Sequence, residues 1–322
     1  MGFWDSLKQA FGGDKAERLP PADQGHSLDE LARRLGVAPD ALLAFKPAYR
    51  QFTIAKRTGG RRTITAPDEA TKDMQRRILH RLLAKLHVHP AAMGFEKGKS
   101  IATHALLHSN QAVVVRMDIR DFFPSTTSVR IAAYFRRIGW NQQAADTLVR
   151  LCTHEGGLPQ GAPTSPRLAN LVNYRLDTRL HAAAAQSELV SINPRTLQRV
   201  SSAHALPAIT YSRYADDLTF SFACDDRDAV QSIIRLTKLV VRDEGYRLHT
   251  AKKLRIMRRH DRQIVTGLVV NQRVALPRHC RRWLRAVDHH QRTGQPATLT
   301  PQQLAGWRAL QAMIQQQTAP AS

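Results

Sequence analysis

The chain has 322 residues, enough for two or three compact subdomains around a real core, and its 43% hydrophobic share is ordinary for a soluble globular protein. The charge is not ordinary: 48 Lys and Arg against 26 Asp and Glu leave a formal +22, an excess that repels itself and suits a polyanionic partner. No apolar run of about 18 residues and no signal peptide stand out, and the three scattered cysteines, Cys152, Cys224 and Cys280, argue against a disulfide framework or a thiolate zinc site and suit a reducing cytoplasm.

In chain order, "MGFWDSLKQAFGG" reads as a short amphipathic helix that also fits a loose myristoylation pattern at Gly2 and Ser6. "HSLDELARRLGV" predicts a helix with a Ser27-x-x-Glu30 capping box and a stop at Gly36. "YRQFTIAKRTGGRRTITAP" alternates around a Thr-Gly-Gly turn and predicts a hairpin closing at Pro67, followed by a helix over "DEATKDMQRRILHRLLAKLHV". "QAVVVRMDI" predicts a buried strand that delivers Asp118 at its C-terminal end, and a helix is expected after Pro124. "GGLPQGAPTSPRLANLVNYRLDTRLHAAAA" is a Gly/Pro-rich loop entering one long helix. "AITYSRYADDLTFSF" is strand, turn, strand; a helix stopped by Gly245 follows, and "RQIVTGLVVN" reads as one more strand. Two helices end the chain, the second opened by Thr300, Pro301 and Gln303 as a capping box. The mixture is an α+β layout rather than regular βαβ winding.

Asp216 and Asp217 are two like charges inside an apolar, aromatic stretch. As an isolated feature the pair is a surface turn, since Asp tolerates turn conformations. Taken with Asp118 at the end of another strand, it would place three carboxylates at one sheet edge. That arrangement suits divalent cations that activate an attacking 3′-oxygen and stabilise a leaving pyrophosphate.

Six motifs in order, "KRTGGRRTITAP", "GFEKGKSIATHA", "RMDIRDFFPS", "LPQGAPTSPRLANL", "YADD" and "GYRLHTAKK", make residues 45 to 275 resemble the reverse transcriptases, and among them the bacterial retron type. The resemblance implies a right-hand polymerase fold, with fingers and an antiparallel palm sheet with helices over residues 51–270. Residues 1–50 read as a helical, charged lead-in, and the resemblance implies a small, basic, RNA-binding helical thumb over 271–322. It implies two Mg²⁺ ions, with Mn²⁺ able to substitute, on Asp118, Asp216, Asp217 and the carbonyl of Ile119. Lys56 and Arg62 would hold the triphosphate of an incoming dNTP, where an Arg fork suits phosphate geometry. Phe123 would pack under the sugar and reject a ribose 2′-OH. Gln160 and Gly161 would line the nucleotide and template, and Lys252 would serve the pyrophosphate, Lys253 standing where the family usually has Thr.

Within the resemblance, Val265-Thr266-Gly267 and Ala105-x-x-His108 match retron RNA-recognition elements, with His104 where Asn is expected; a buried strand with a Gly bulge is the plain alternative for the first. Between Arg247 and Arg285, twelve Lys and Arg face one acid, Asp261, so Arg278, Arg281 and Arg282 belong to an expected phosphate-tracking surface. With so short a tail, no appended ribonuclease H is expected. The implied activity is binding of a cognate structured non-coding RNA, priming from the 2′-OH of a branching guanosine, and synthesis of an RNA-linked single-stranded DNA (msDNA). The implied setting is cytoplasmic anti-phage defence with an effector protein and no membrane. The alternatives are a defence-associated reverse transcriptase without branched priming, or an RNA-binding scaffold with a dead polymerase site.

Overall fold

The computed structural model describes residues 19–55, 59, 61–185, 209–249, 254–295 and 298–319, and of Arg62 the backbone alone. The leader helix and the expected sites at Lys56, Lys252 and Lys253 lie outside the described residues. Helices and antiparallel strands are mixed along the chain, as the α+β reading requires. The chain divides into two compact units, Met1–Ala92 with Ile119–Ala182 and Lys238–Leu248, and Met93–Asp118 with Ala183–Thr237 and His249–Ser322.

In the first unit, helix Leu28–Leu35 starts at Ser27, whose Oγ accepts from Glu30 N (3.3 Å), and ends at Gly36 with φ 69°. The expected capping box is only half made. Glu30 turns instead to Arg33 and Arg34 (2.7 and 2.6 Å), where two guanidinium groups take the place of one cap N–H. The predicted hairpin forms from β1, Tyr49–Ala55, and β2, Arg61–Pro67, paired from Tyr49↔Pro67 to Ala55↔Arg61. Helix Glu69–Ile78, capped by Asp68, continues into a π-turn, Leu79–Leu83. Leu31, Leu35, Leu42, Ile78, Phe135 and Leu148 are fully buried in this unit. The one long helix expected after the Gly/Pro loop is two, Ser165–Val172 and Tyr174–Ala185. Asn173 separates them, its side-chain amide donating to Ala169 O (2.8 Å) and Tyr246 Oη (3.0 Å).

The second unit carries a four-stranded antiparallel sheet in the order β4-β5-β3-β6: β3 Val113–Asp118, β4 Ile209–Tyr214, β5 Asp217–Phe222 and β6 Arg255–Arg258. β3 is central and its valines are buried on both faces, which is why it reads as an uninterrupted β-branched run. The segment read as one strand over "RQIVTGLVVN" is a hairpin of β7, Ile264–Val265, and β8, Leu268–Val269. Thr266 (φ 45°) and Gly267 (φ 85°) form its two-residue turn, both central residues in the left-handed region as a type I′ turn demands. Helix Arg278–Arg292 and helix Pro301–Thr318, the latter with the predicted Thr300/Gln303 capping box, share a core with helix Ile101–Leu107 and this hairpin. That core includes Ala105, Val265, Leu268, Leu284, Leu304 and Ile314. Trp307 packs against it and meets Trp283 edge-on at 5.7 Å. Among the described residues no helix is long and apolar enough to cross a membrane, and all three cysteines are free.

Candidate active site

Register decides what the carboxylates do. The last rung of β3 and β5 pairs Asp118 with Asp217, and the last rung of β4 and β5 pairs Tyr214 with Asp217. Directly opposed residues project to the same face, so both aspartates leave the sheet on one side. Asp216 sits in the two-residue turn between β4 and β5, beside Ala215, which takes φ 56°. A left-handed alanine is costly and persists where its surroundings over-determine it. Two contacts do so: buried Arg213 donates from Nη1 to Ala215 O (3.1 Å), and Gly94 lies so close that a Cβ there would stand 2.8 Å from Ala215 N.

Two further groups touch the carboxylates. Arg116, two residues before Asp118 on the same face of β3, donates from Nη2 to Asp217 Oδ2 (2.6 Å) and from Nη1 to Ile264 O (3.3 Å). His249 Nε2 stands 3.6 Å from Asp118 Oδ1, and its backbone N donates to Asp118 O (2.9 Å). Neither was singled out from the sequence. The alternation "RMD" already placed Arg116 on the Asp118 face, but the identity of the opposing strand is not a local property. Ile119 is buried and bridges to Leu248, through bonds made by its neighbours Asp118 and Arg120 rather than by its own carbonyl.

The first unit brings together three of the elements expected at a nucleotide. Gln160 O accepts from Thr65 N of β2 (3.0 Å), the strand that carries Arg62. Gly161 (φ 132°) lies against the same strand, where a Cβ would be 3.1 Å from Thr65 O. Two residues before Gln160, Leu158 N donates to Phe123 O (3.2 Å). Of the adjacent phenylalanines, Phe122 is buried against Tyr246, whereas Phe123 is half-exposed.

The residues expected to meet RNA separate by burial. Arg278, Arg281, Arg282 and Gly267 are exposed and Thr266 is half-buried, its Oγ1 donating to Ile101 O (3.1 Å). Ala105, His108 and Val265 are fully buried, so they offer a ligand no direct contact. His104 and His108 instead build a polar chain under the sheet. Ser212 Oγ lies 2.7 Å from His104 Nε2 and 2.6 Å from His108 Nε2, and His108 Nδ1 lies 2.8 Å from Ser221 Oγ. Buried His104 Nδ1 has no partner, and an unpaired acceptor is easier to tolerate than an unpaired N–H. The ring proton is therefore assigned to Nε2, which donates to Ser212. Ser212 donates on to His108 Nε2, and His108 Nδ1–H donates to Ser221. Burial, aided by Arg116, drives His104 down to about 3, and burial also holds His108 well below the usual histidine range.

Comparison with known proteins identifies the family. Residues 54–284 match the family described as reverse transcriptase (RNA-dependent DNA polymerase). The chain belongs to the reverse transcriptase family, in its retron type. It is 34% identical to the Retron Mx162 reverse transcriptase of Myxococcus xanthus, over 91% of this chain and 65% of that relative. It is 37% identical to the Retron Mx65 reverse transcriptase of Myxococcus xanthus, over 76% and 56%, and 31% identical to the Retron Ec86 reverse transcriptase of Escherichia coli, over 90% and 84%. The chain thus spans less than two thirds of the length of the two Myxococcus relatives and most of the Escherichia one. Membership gives the four-stranded sheet its place in a reverse transcriptase polymerase fold.

Proposed function

We propose that this chain is an RNA-directed DNA polymerase of the retron type, built as fingers, palm and thumb and working in the cytoplasm. It would bind a structured non-coding RNA encoded beside its gene, prime from the 2′-OH of a branching guanosine, and copy part of that RNA into single-stranded DNA. The observation that carries the reading is the end of the four-stranded sheet, where Asp118 and Asp217 oppose each other on one rung with Asp216 in the adjoining turn.

The family generally uses divalent metal ions, and the donor chemistry fits them: the hard carboxylates of Asp118 and Asp217 leave the sheet on one face. Among the described residues no group of three or more His, Cys, Asp or Glu is assembled to hold a metal. Mg²⁺ keeps several waters and takes substrate phosphates beside one or two carboxylates, and it is the ion this donor set would take. Asp118 and Asp216, with the Ile119 carbonyl, would hold two such ions, Mn²⁺ being a substitute. Bound there, the ions supply charge neutralisation at the attacking and leaving oxygens. Asp217 adds the third carboxylate and, through Arg116, fixes how the turn presents Asp216. Lys56, Arg62 and Lys252 would hold phosphates, Phe123 would exclude a ribose 2′-OH, and Gln160 with Gly161 would position the nucleotide. Thr266, Gly267, Arg278, Arg281 and Arg282 would meet the RNA. Ala105, His108 and Val265 would shape the elements beneath them. An effector protein held with the RNA–DNA product in anti-phage defence completes the proposal.

The test is the nucleic acid that co-purifies when the gene and its flanking DNA are expressed together. A discrete DNA that shifts but survives RNase, shrinks to a stub with DNase and is lost in Asp216→Ala is the expected product. Bare RNA, or DNA indifferent to RNase, would remove the branched-priming reading.

A further inference from the structure

The second unit contains a cavity of about 720 Å³, of whose lining the proposed function uses only Arg278 and Arg281. Five arginines line it, Arg259, Arg262, Arg273, Arg278 and Arg281, and no carboxylate does. Among the described residues none of the five is ion-paired; Arg259 reaches only the neutral amide oxygen of Asn110 (2.6 Å). The frame around them is built rather than incidental. Val269 and Ala275 exchange two backbone bonds (2.8 and 3.0 Å), closing the short loop that carries Arg273. Asn271 pins that loop, donating to Arg259 O (3.0 Å) and Asp261 O (2.7 Å) and accepting from Gln263 N (3.0 Å). Arg278 and Arg281 belong to the first turn of helix Arg278–Arg292, which has no acid there and no side-chain cap, since Pro277 occupies the cap position. Cations at a helix N-terminus oppose the macrodipole, so this end is arranged against its own interest unless an anion sits on it.

We infer that this cavity is a phosphate pocket that takes the backbone of an unpaired RNA strand bent into it, with Arg259, Arg262 and Arg273 as its unassigned contacts. The RNA class rests on the proposed function; the anion chemistry does not. A concave site selects a bend, because a continuous duplex carries its phosphates on the outside of a cylinder and meets only the rim. A single strand can place successive phosphates among the guanidinium groups, whose forks suit phosphate oxygens.

The full chain is titrated by fluorescence anisotropy, without dNTPs, against labelled oligo-rU, oligo-dT and a blunt RNA duplex at several salt concentrations. Arg262→Gln/Arg273→Gln is compared with Arg227→Gln/Arg292→Gln, which removes the same charge from helix positions that do not line the cavity. Two lost phosphate contacts should flatten the oligo-rU salt slope by about 1.4, and the control pair and the duplex should change by less than half of that. Equal losses for both variant pairs, or for strand and duplex, would reduce the pocket to general charge. A loss confined to oligo-dT would overturn the RNA assignment. Because binding is read without synthesis, an inactive Asp216→Ala protein gives the same answer, so the pocket and the polymerase site fail separately.

Discussion

At the scale of single residues, the site is a set of charges held in place by their neighbours. Arg116 is the neighbour with most influence, because its guanidinium ties Asp217 to the carbonyl of Ile264 at the base of the β7–β8 hairpin. Groups that orient a metal's ligands typically matter by about 10–100-fold. Arg116→Leu is therefore expected to lower RNA-templated synthesis by roughly that factor while oligo-rU affinity stays within about twofold; a parallel loss of affinity would make Arg116 an RNA contact instead. Phe123 makes a second, separate case. Its ring is half-exposed, next to the buried Phe122, and is the one proposed to lie under the sugar. Phe123→Ala should raise ribonucleotide incorporation relative to deoxyribonucleotide by at least about tenfold in competition assays, one steric contact being worth on the order of 1–3 kcal/mol. Unchanged selectivity would place another side chain under the ribose.

At the scale of elements, local signals were legible wherever the partner was near in sequence. The Thr-Gly-Gly turn gave β1 and β2, the Val run gave β3, and Thr300 with Gln303 gave the last helix start. The β7–β8 hairpin was missed because its strands are two residues each, too short for a period to declare itself, although Thr266-Gly267 carries the turn chemistry. Asn173 broke a helix through a bond to Tyr246, 73 residues away. The same limit applies to the two histidines. Their i, i+4 spacing, with His104 in helix Ile101–Leu107 and His108 at its C-cap, is visible in the sequence, but Ser212 and Ser221 are more than a hundred residues on. Their burial has a consequence for pH. Both rings are held below the unfolded histidine value of about 6.5, so their contribution is fully present above that pH and is lost as pH falls below it, for His104 down to about 3. Urea melts should lose roughly 2–3 kcal/mol between pH 7.5 and 5.5, with a shallower loss in His104→Gln and His108→Gln. An equal slope in the variants would show that other groups titrate there.

At the scale of the whole molecule, the net charge of +22 is the property that composition made plain first. Charge of this kind sets affinity through counterion release, so binding to RNA should weaken by about 10³-fold between 50 and 200 mM salt if some six phosphates are contacted. A flat response in the anisotropy titration would remove phosphate contacts from the account. Charge says nothing about chemistry, which rests on the register of three strands. The decisive measurement is single-turnover extension of a primed RNA template by the parent chain, by Asp118→Asn, and by Asp261→Asn as a charge-matched control at the exposed acid of the basic segment. The account predicts at least about 10³-fold slower synthesis for Asp118→Asn with RNA affinity preserved, and near-parental synthesis for the control. Synthesis by Asp118→Asn within tenfold of the parent would mean that the paired carboxylates at the end of the sheet are not the polymerase site.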